Sequence, residues 1–202
     1  MNQARRYVSP KREAQAEATR EAILAAFADQ LSDPERDELS PSDAAQRAGV
    51  SVRTVHSHFP NRASQIAALG DWFDRQFYPH GVVVARDADD LPRYFRDMHT
   101  KALQHPIARA LANATRGVWS EVRQKRRAER LDAIRRAVKE IGAPRRATED
   151  ATAMLLSLSG ADASWPLHDL YGLPLKRIPN VIAKTVELVV DDLRTLVTEL
   201  SQ

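Results

Sequence analysis

Apolar residues recur along this chain at three- and four-residue spacing, and polar breaks divide them into short segments. Ile23, Leu24, Phe27 and Leu31 mark a helix under way from Thr19, after a polar start that frays up to about Lys11. Asp33-Pro34 stops it. Ser40-Pro41-Ser42-Asp43 has the form of a helix start: Ser40 as N-cap, Pro41 in the first turn, Asp43 at the capping-box position. It predicts a helix from Pro41 to Ala48, closed at Gly49, where a left-handed residue strains least. Ser51 then caps a second short helix over Val52 to Phe59, Pro60 ends it, and Asn61 caps a third running to about Tyr78. On a helical wheel Val52, Val55 and Phe59 turn inward. Arg53, Thr54, Ser57 and His58 turn outward, with His56 at the border.

A second set of helical patterns covers residues 90–105, 106–115, 118–141, 148–165 and 179–200. Breaks fall at His105-Pro106, Gly117, Gly142-Ala143-Pro144 and Trp165-Pro166, and residues 170–179 read as a connector. Alternating β-branched stretches are few, so the pattern predicts an all-α fold of about nine helices. A three-helix domain with a helix-turn-helix occupies 1–75, and a helical bundle occupies 76–202.

Composition narrows the chemistry. The 202 residues carry 30 lysines and arginines, 24 of them arginine, against 27 acids, a net charge of only +3. The pI of about 9.4 therefore reflects arginine rather than a basic surface throughout. That balance excludes a histone-like tail or a polybasic membrane binder and leaves room for a local polyanion-binding patch. With no cysteine, disulfide frameworks, thiolate nucleophiles and zinc fingers are excluded. The seven glycines are isolated, which excludes phosphate-cradling loops. No leader with an apolar core and no membrane-length apolar run is visible, so a soluble, cytoplasmic protein is expected.

No convergent catalytic set stands out, and neither enzyme activity, catalytic residues, a cofactor nor a metal is expected. His56 and His58, two apart on a helix, point about 200° from each other and cannot easily share an ion. Asp89-Asp90 and Asp191-Asp192 are adjacent in sequence, which suits surface charge better than acid–base pairing. The basic run Arg123 to Arg130 reads first as a solvated face and only second as a further nucleic-acid site.

The helix-turn-helix is the informative segment. Residues 28–43 carry six acids and one base, whereas Ala44 to Gly70 holds three arginines, at 47, 53 and 62, and no acid. A short helix with small side chains and a neutral-to-basic exposed face is what the major groove admits, and arginines at its ends can hold phosphates. A small surface helix with an accidental charge imbalance fits about as well.

The run Ala48-Gly49-Val50-Ser51-Val52-Arg53-Thr54-Val55-His56-Ser57-His58-Phe59-Pro60-Asn61-Arg62 resembles the DNA-binding segment of TetR-family transcriptional repressors, which typically read A-G-V-S-x-x-T-[LV]-Y-x-H-F-x-[NS]-K. His56 stands at the family's tyrosine and Arg62 at its lysine. The acidic loop over 32–39 is longer than usual.

The resemblance implies a homodimeric regulator, most simply a repressor, that binds a palindromic operator in double-stranded DNA and is released by a small-molecule effector. It implies that Thr54, His56 and Arg62 hold phosphates, that Arg53, Ser57 and His58 lie near base edges or backbone, and that Ser42 is a further backbone contact. Arg53 is the candidate for guanine. In the second domain Phe95, Met98, His99 and Trp119 are candidates to line the effector site, with His99 as a polar hook. Met154, Leu155, Leu158 and Val189, on helices apolar on more than one side, are candidates for a dimer interface. The helix from Asn61 would carry the effector's signal to the recognition helix. Two other classes stay open: a helical ligand carrier or enzyme with a decorative helix-turn-helix, and a regulator controlled by a protein partner.

Overall fold

The computed structural model describes residues 10–32, 39–80, 83–105, 107–114, 121–160 and 163–202, without the side chains of 112–114, 121–123 and 126. Among these residues the fold is all-helical. The order is α1 (Pro10–Leu31), α2 (Pro41–Ala48), α3 (Val52–His58), α4 (Arg62–Phe77), α5 (Leu91–Gln104), α6 (Ala108–Ala114), α7 (Glu121–Lys139), α8 (Arg145–Leu158), α9 (Ser164–Asp169) and α10 (Ile178–Leu200), with a 3-10 turn at Leu175–Arg177. The chain divides into two compact units, Met1–Phe73 and Asp74–Gln202, with the boundary inside α4.

In the first unit Ile23, Leu24 and Phe27 of α1 are buried with Ala44 and Ala45 of α2, Val55 of α3, Phe59, and Ile66 and Leu69 of α4. Phe59 closes the set, its ring edge-on to Phe27 at 6.1 Å between centroids. Burial of such aromatic rings supplies much of a small core's stability. α1 begins at Pro10, earlier than the apolar stripe shows, because its first turns are polar and exposed.

The second unit has its own core. Leu91, Tyr94, Phe95 and Met98 of α5 meet Ile134 and Val138 of α7, Leu155 of α8, and Ile182, Val186 and Val190 of α10. Before α5 the buried carboxylate of Asp90 receives hydrogen bonds from the Arg86 backbone N–H at 3.1 Å and the Arg93 guanidinium at 2.6 Å. Burial works to raise its pKa, but these bonds outweigh it and hold the carboxyl below its usual range.

Two expected boundaries move here. The helix expected over 148–165 runs from Arg145 to Leu158, and Trp165-Pro166 lies in the first turn of α9 instead of marking a break. Proline costs little in a first turn, where its missing N–H has no helical partner anyway. For the same reason Pro179 sits just inside α10 and does not end the connector.

Candidate nucleic-acid interface

The geometry of α2, α3 and the turn between them follows from local polar chemistry. Ser40 Oγ accepts the Asp43 N–H at 3.3 Å, which caps α2. At its other end Gly49 takes φ 67°, its N–H reaches the Gln46 carbonyl at 3.3 Å, and the Val50 N–H reaches the Ala45 carbonyl at 2.9 Å. This paired closure needs a left-handed residue, the conformation glycine adopts without strain. Ser51 Oγ accepts the Thr54 N–H at 3.1 Å and starts α3. Beyond α3, Asn61 Oδ1 accepts the Ser64 N–H at 2.9 Å, while Ser64 Oγ accepts the Asn61 N–H at 3.2 Å. That reciprocal pair opens α4.

One positioning residue is not visible from periodicity. Gln30, on the buried side of α1, donates to the Ser40 carbonyl at 3.1 Å and accepts the Ser40 N–H at 2.7 Å. A single amide thus ties the end of α1 to the cap of α2, across a stretch of sequence with four acids and one base. The only sequence signal is a polar residue among apolar ones. Arg20 lies with its guanidinium 4.9 Å above the Phe59 ring, and Glu21 accepts the Trp72 indole N–H at 2.8 Å.

On this frame α3 turns Val55 fully inward and presents Arg53, His56 and Ser57 to solvent. The three lie at i, i+3 and i+4, one helical face. Val52 departs from expectation: it is 41% exposed, because the first turn of α3 stands clear of the core that Val55 and Phe59 fill. His58 is half-buried, its ring 6.0 Å from that of Phe59.

Some of the candidate hydroxyls already have intramolecular partners. Thr54 Oγ1 is 2.8 Å from Ser51 Oγ, Ser57 Oγ donates to the Arg53 carbonyl at 2.9 Å, and Ser42 Oγ is 3.0 Å from Ser40 Oγ. A hydroxyl has one donor and two acceptor lone pairs, so each keeps capacity for a further contact. Arg62 is exposed at the start of α4, and Arg47 on α2 is exposed and paired with Asp43 at 3.2 Å. The face therefore gathers Arg53, His56 and Ser57. His58 stands on another side of α3, and Ser42 and Arg62 belong to the neighbouring helices.

The effector and assembly candidates lie in the second unit. Phe95, Met98 and His99 are buried on α5, with Phe95 and His99 stacked at 6.3 Å. His99 is not free to act as a hook. Its Nδ1 is 2.7 Å from Ser164 Oγ and its Nε2 is 2.9 Å from the Leu158 carbonyl, so one imidazole clasps the end of α8 to the start of α9. The carbonyl can only accept, which assigns the proton to Nε2 and the hydroxyl proton of Ser164 to Nδ1. Trp119 lies outside the described residues, as do residues 33–38 of the lengthened loop.

Nearby, Trp165 offers a different feature: its buried indole N–H has no acceptor among the described residues. The Arg109 guanidinium, paired with Asp169 at 2.7 Å, lies 5.4 Å from its ring. Tyr94 is held as a neutral phenol by burial, its pKa pushed up to about 12.

Among the interface candidates Met154 is exposed, while Leu158 and Val189 are partly buried against the core. Leu155 belongs to the core itself, completely enclosed, and so packs inward instead of facing a partner. The apolar side chains that α10 leaves to solvent are Val181, Leu188 and Leu200. Among the described residues no three metal-ligating side chains stand together, and no helix is long and apolar enough to cross a membrane.

No family model and no curated protein matches the chain. Among solved structures it is similar to NalD, the secondary repressor of the MexAB-OprM multidrug efflux pump in Pseudomonas aeruginosa. The two are 19% identical over 88% of this chain and 96% of that one, with a TM-score of 0.44.

Proposed function

We propose that the protein is a sequence-specific DNA-binding regulator of transcription, resembling the TetR family and acting most simply as a repressor. The observation that carries this reading is the α2–α3 pair. Its turn is closed by Gly49, and α3 holds Arg53, His56 and Ser57 outward on one face in a stretch without acids. A helix of that size and charge enters a major groove, where Arg53 reads a base edge and Arg62 grips a phosphate.

Two copies related by a twofold axis read half-sites about 34 Å apart or a multiple of that. The exposed Leu188 and Met154 are the apolar contacts offered to the second copy, which places the particle at twice the 22.6-kDa chain mass. The effector is a largely apolar molecule held among the helices of the second unit, acting through α4, which continues across the unit boundary. The buried Trp165 N–H supports a ligand with a hydrogen-bond acceptor, since a buried donor left unpaired costs about 1–3 kcal/mol.

Selection of bound duplexes from a random-sequence library tests the reading. Arg62→Ala weakens binding to every sequence and reduces the log–log salt slope by about 0.9. Arg53→Ala costs about 1–3 kcal/mol and relaxes preference at particular base pairs. Failure to retain any duplex at low salt would end the proposal.

A further inference from the structure

We propose that the proton is a second effector of this regulator: His56 on α3 makes duplex binding tighten as pH falls. The inference rests on the DNA-binding reading above and names a regulation of the same face. His56 is exposed, one helical turn from Arg53, on the outward side of α3. Histidine is the ordinary side chain whose charge changes between pH 5 and 8.

The charges around it decide what that change does. On α3 itself the other ionisable groups are Arg53 and the half-buried His58. α2 contributes Asp43 and Arg47, bound to each other. α4 contributes Arg62 at its start and Asp71, Asp74 and Arg75 beyond the acid-free stretch, and α1 contributes Arg20 over Phe59 and Glu21, which holds the Trp72 indole. The remaining described charges of the unit are Lys11, Arg12, Glu13, Glu17 and Asp29 along α1. From Ala44 to Gly70 the chain offers no carboxylate, so an imidazolium at position 56 has no anion close in sequence. A phosphate backbone laid on this face supplies one.

Thermodynamic linkage fixes the sign. If the duplex binds the charged form of His56 more tightly than the neutral form, binding draws a proton onto it, and affinity rises as pH falls. One added phosphate contact steepens the log–log salt slope by about 0.9, which at 0.1 M salt corresponds to about tenfold in affinity.

Of the four histidines of the second unit, the two on or beside α5 do not mimic this. His99 has both ring nitrogens engaged within the core. His105 has its pKa lowered, by burial first and by Lys101 second. Charging it on acidification acts against the fold, the opposite sign to tighter binding.

The experiment measures binding of a labelled random-sequence duplex pool to the full chain at about pH 6 and about pH 8, and counts protons taken up by calorimetry in two buffers of different ionisation enthalpy. The wild type is expected to bind several-fold tighter at the lower pH, up to the tenfold ceiling, and to take up a fraction of a proton per chain, at most about half, as a tenfold preference for the charged form requires. His56→Gln keeps a neutral hydrogen-bonding group and loses both the pH dependence and the uptake, whereas His80→Gln, an exposed histidine outside the proposed binding face, retains them. Duplex binding that is independent of pH, or a pH dependence that survives in His56→Gln, overturns the inference and leaves the DNA-binding reading standing. Absence of duplex binding at every pH overturns both. Circular dichroism of each variant establishes that the solvent-facing substitution leaves the helices intact.

Discussion

The two units of this chain hold their helices in place by different means. In Met1–Phe73 the helix starts at Ser40, Ser51 and Asn61 carry side-chain caps, and the turn at Gly49 has its own backbone closure. In Asp74–Gln202 the starts of α5, α8, α9 and α10 have no side-chain cap bond, and the core shared by α5, α7, α8 and α10 places them instead. The difference follows from what each helix must do. α3 has seven residues and turns one side outward, so it buries little and is too short to be stable alone. Local hydrogen bonds must define it. The longer α5, α8 and α10 of the second unit bury whole faces and their ends follow the packing, while the six-residue α9 has its first residue held by His99 from α5.

The strongest test of that division removes one buried ring from each unit. Phe59→Ala and Phe95→Ala each empty a fully enclosed site, and each is expected to cost about 3–5 kcal/mol. Phe59→Ala should abolish duplex binding while a cooperative urea transition for the second unit persists. Phe95→Ala should lower that transition and spare the first. If both variants shift one common transition by the same amount, the units do not unfold separately and the comparison fails.

This contrast also explains what could be read from sequence. The span of α2, its start at Ser40, its closure at Gly49 and the caps of α3 and α4 were legible because each is written within four or five residues. The outward face of Arg53 and Ser57 followed from helical spacing. Val52 did not, since its exposure depends on how far the core reaches under the first turn of α3. In the second unit periodicity located α5, α7 and α10 but misjudged the break after Leu158. Whether Trp165-Pro166 ends a helix or begins one depends on Ser164, whose hydroxyl is held by His99 from 65 residues away. Such contacts leave no local mark. The same is true of Leu155: an apolar residue on a helix with two apolar sides does not reveal which side meets its own chain.

Gln30 and His99 sharpen the comparison at intermediate size. Each is a buried polar side chain that ties two helices together: Gln30 joins α1 to α2, and His99 clasps α8 and α9 from α5. Gln30→Leu leaves the Ser40 N–H without its acceptor, while the Ser40 carbonyl keeps the Ala44 N–H. His99→Phe strands the Ser164 hydroxyl and the Leu158 carbonyl. Each loss is expected to cost about 1–3 kcal/mol, the penalty of an unpaired buried group. Their functional consequences should differ. Gln30→Leu loosens the cap of α2 and weakens duplex binding, whereas His99→Phe lowers the melting temperature with affinity for DNA unchanged. Parallel melting and binding measurements separate the two, and equal loss of affinity in both would contradict the division.

The smallest effect lies at Ser51, and it can be divided into two parts. The hydroxyl caps α3 by accepting the Thr54 N–H, so Ser51→Ala should cost about 1 kcal/mol, read as a shift in the urea midpoint of the first unit. Ser51→Asp also supplies a capping oxygen and places negative charge at a helix N-terminus, so stability should stay near the wild-type value. That same charge faces the surface proposed to meet phosphates. Ser51→Asp should therefore bind duplex more weakly than Ser51→Ala while being the more stable of the two, and raising salt should narrow the gap between them. If affinity instead tracks stability through both variants, position 51 acts only as a cap, and the DNA does not approach α3 from its N-terminal end.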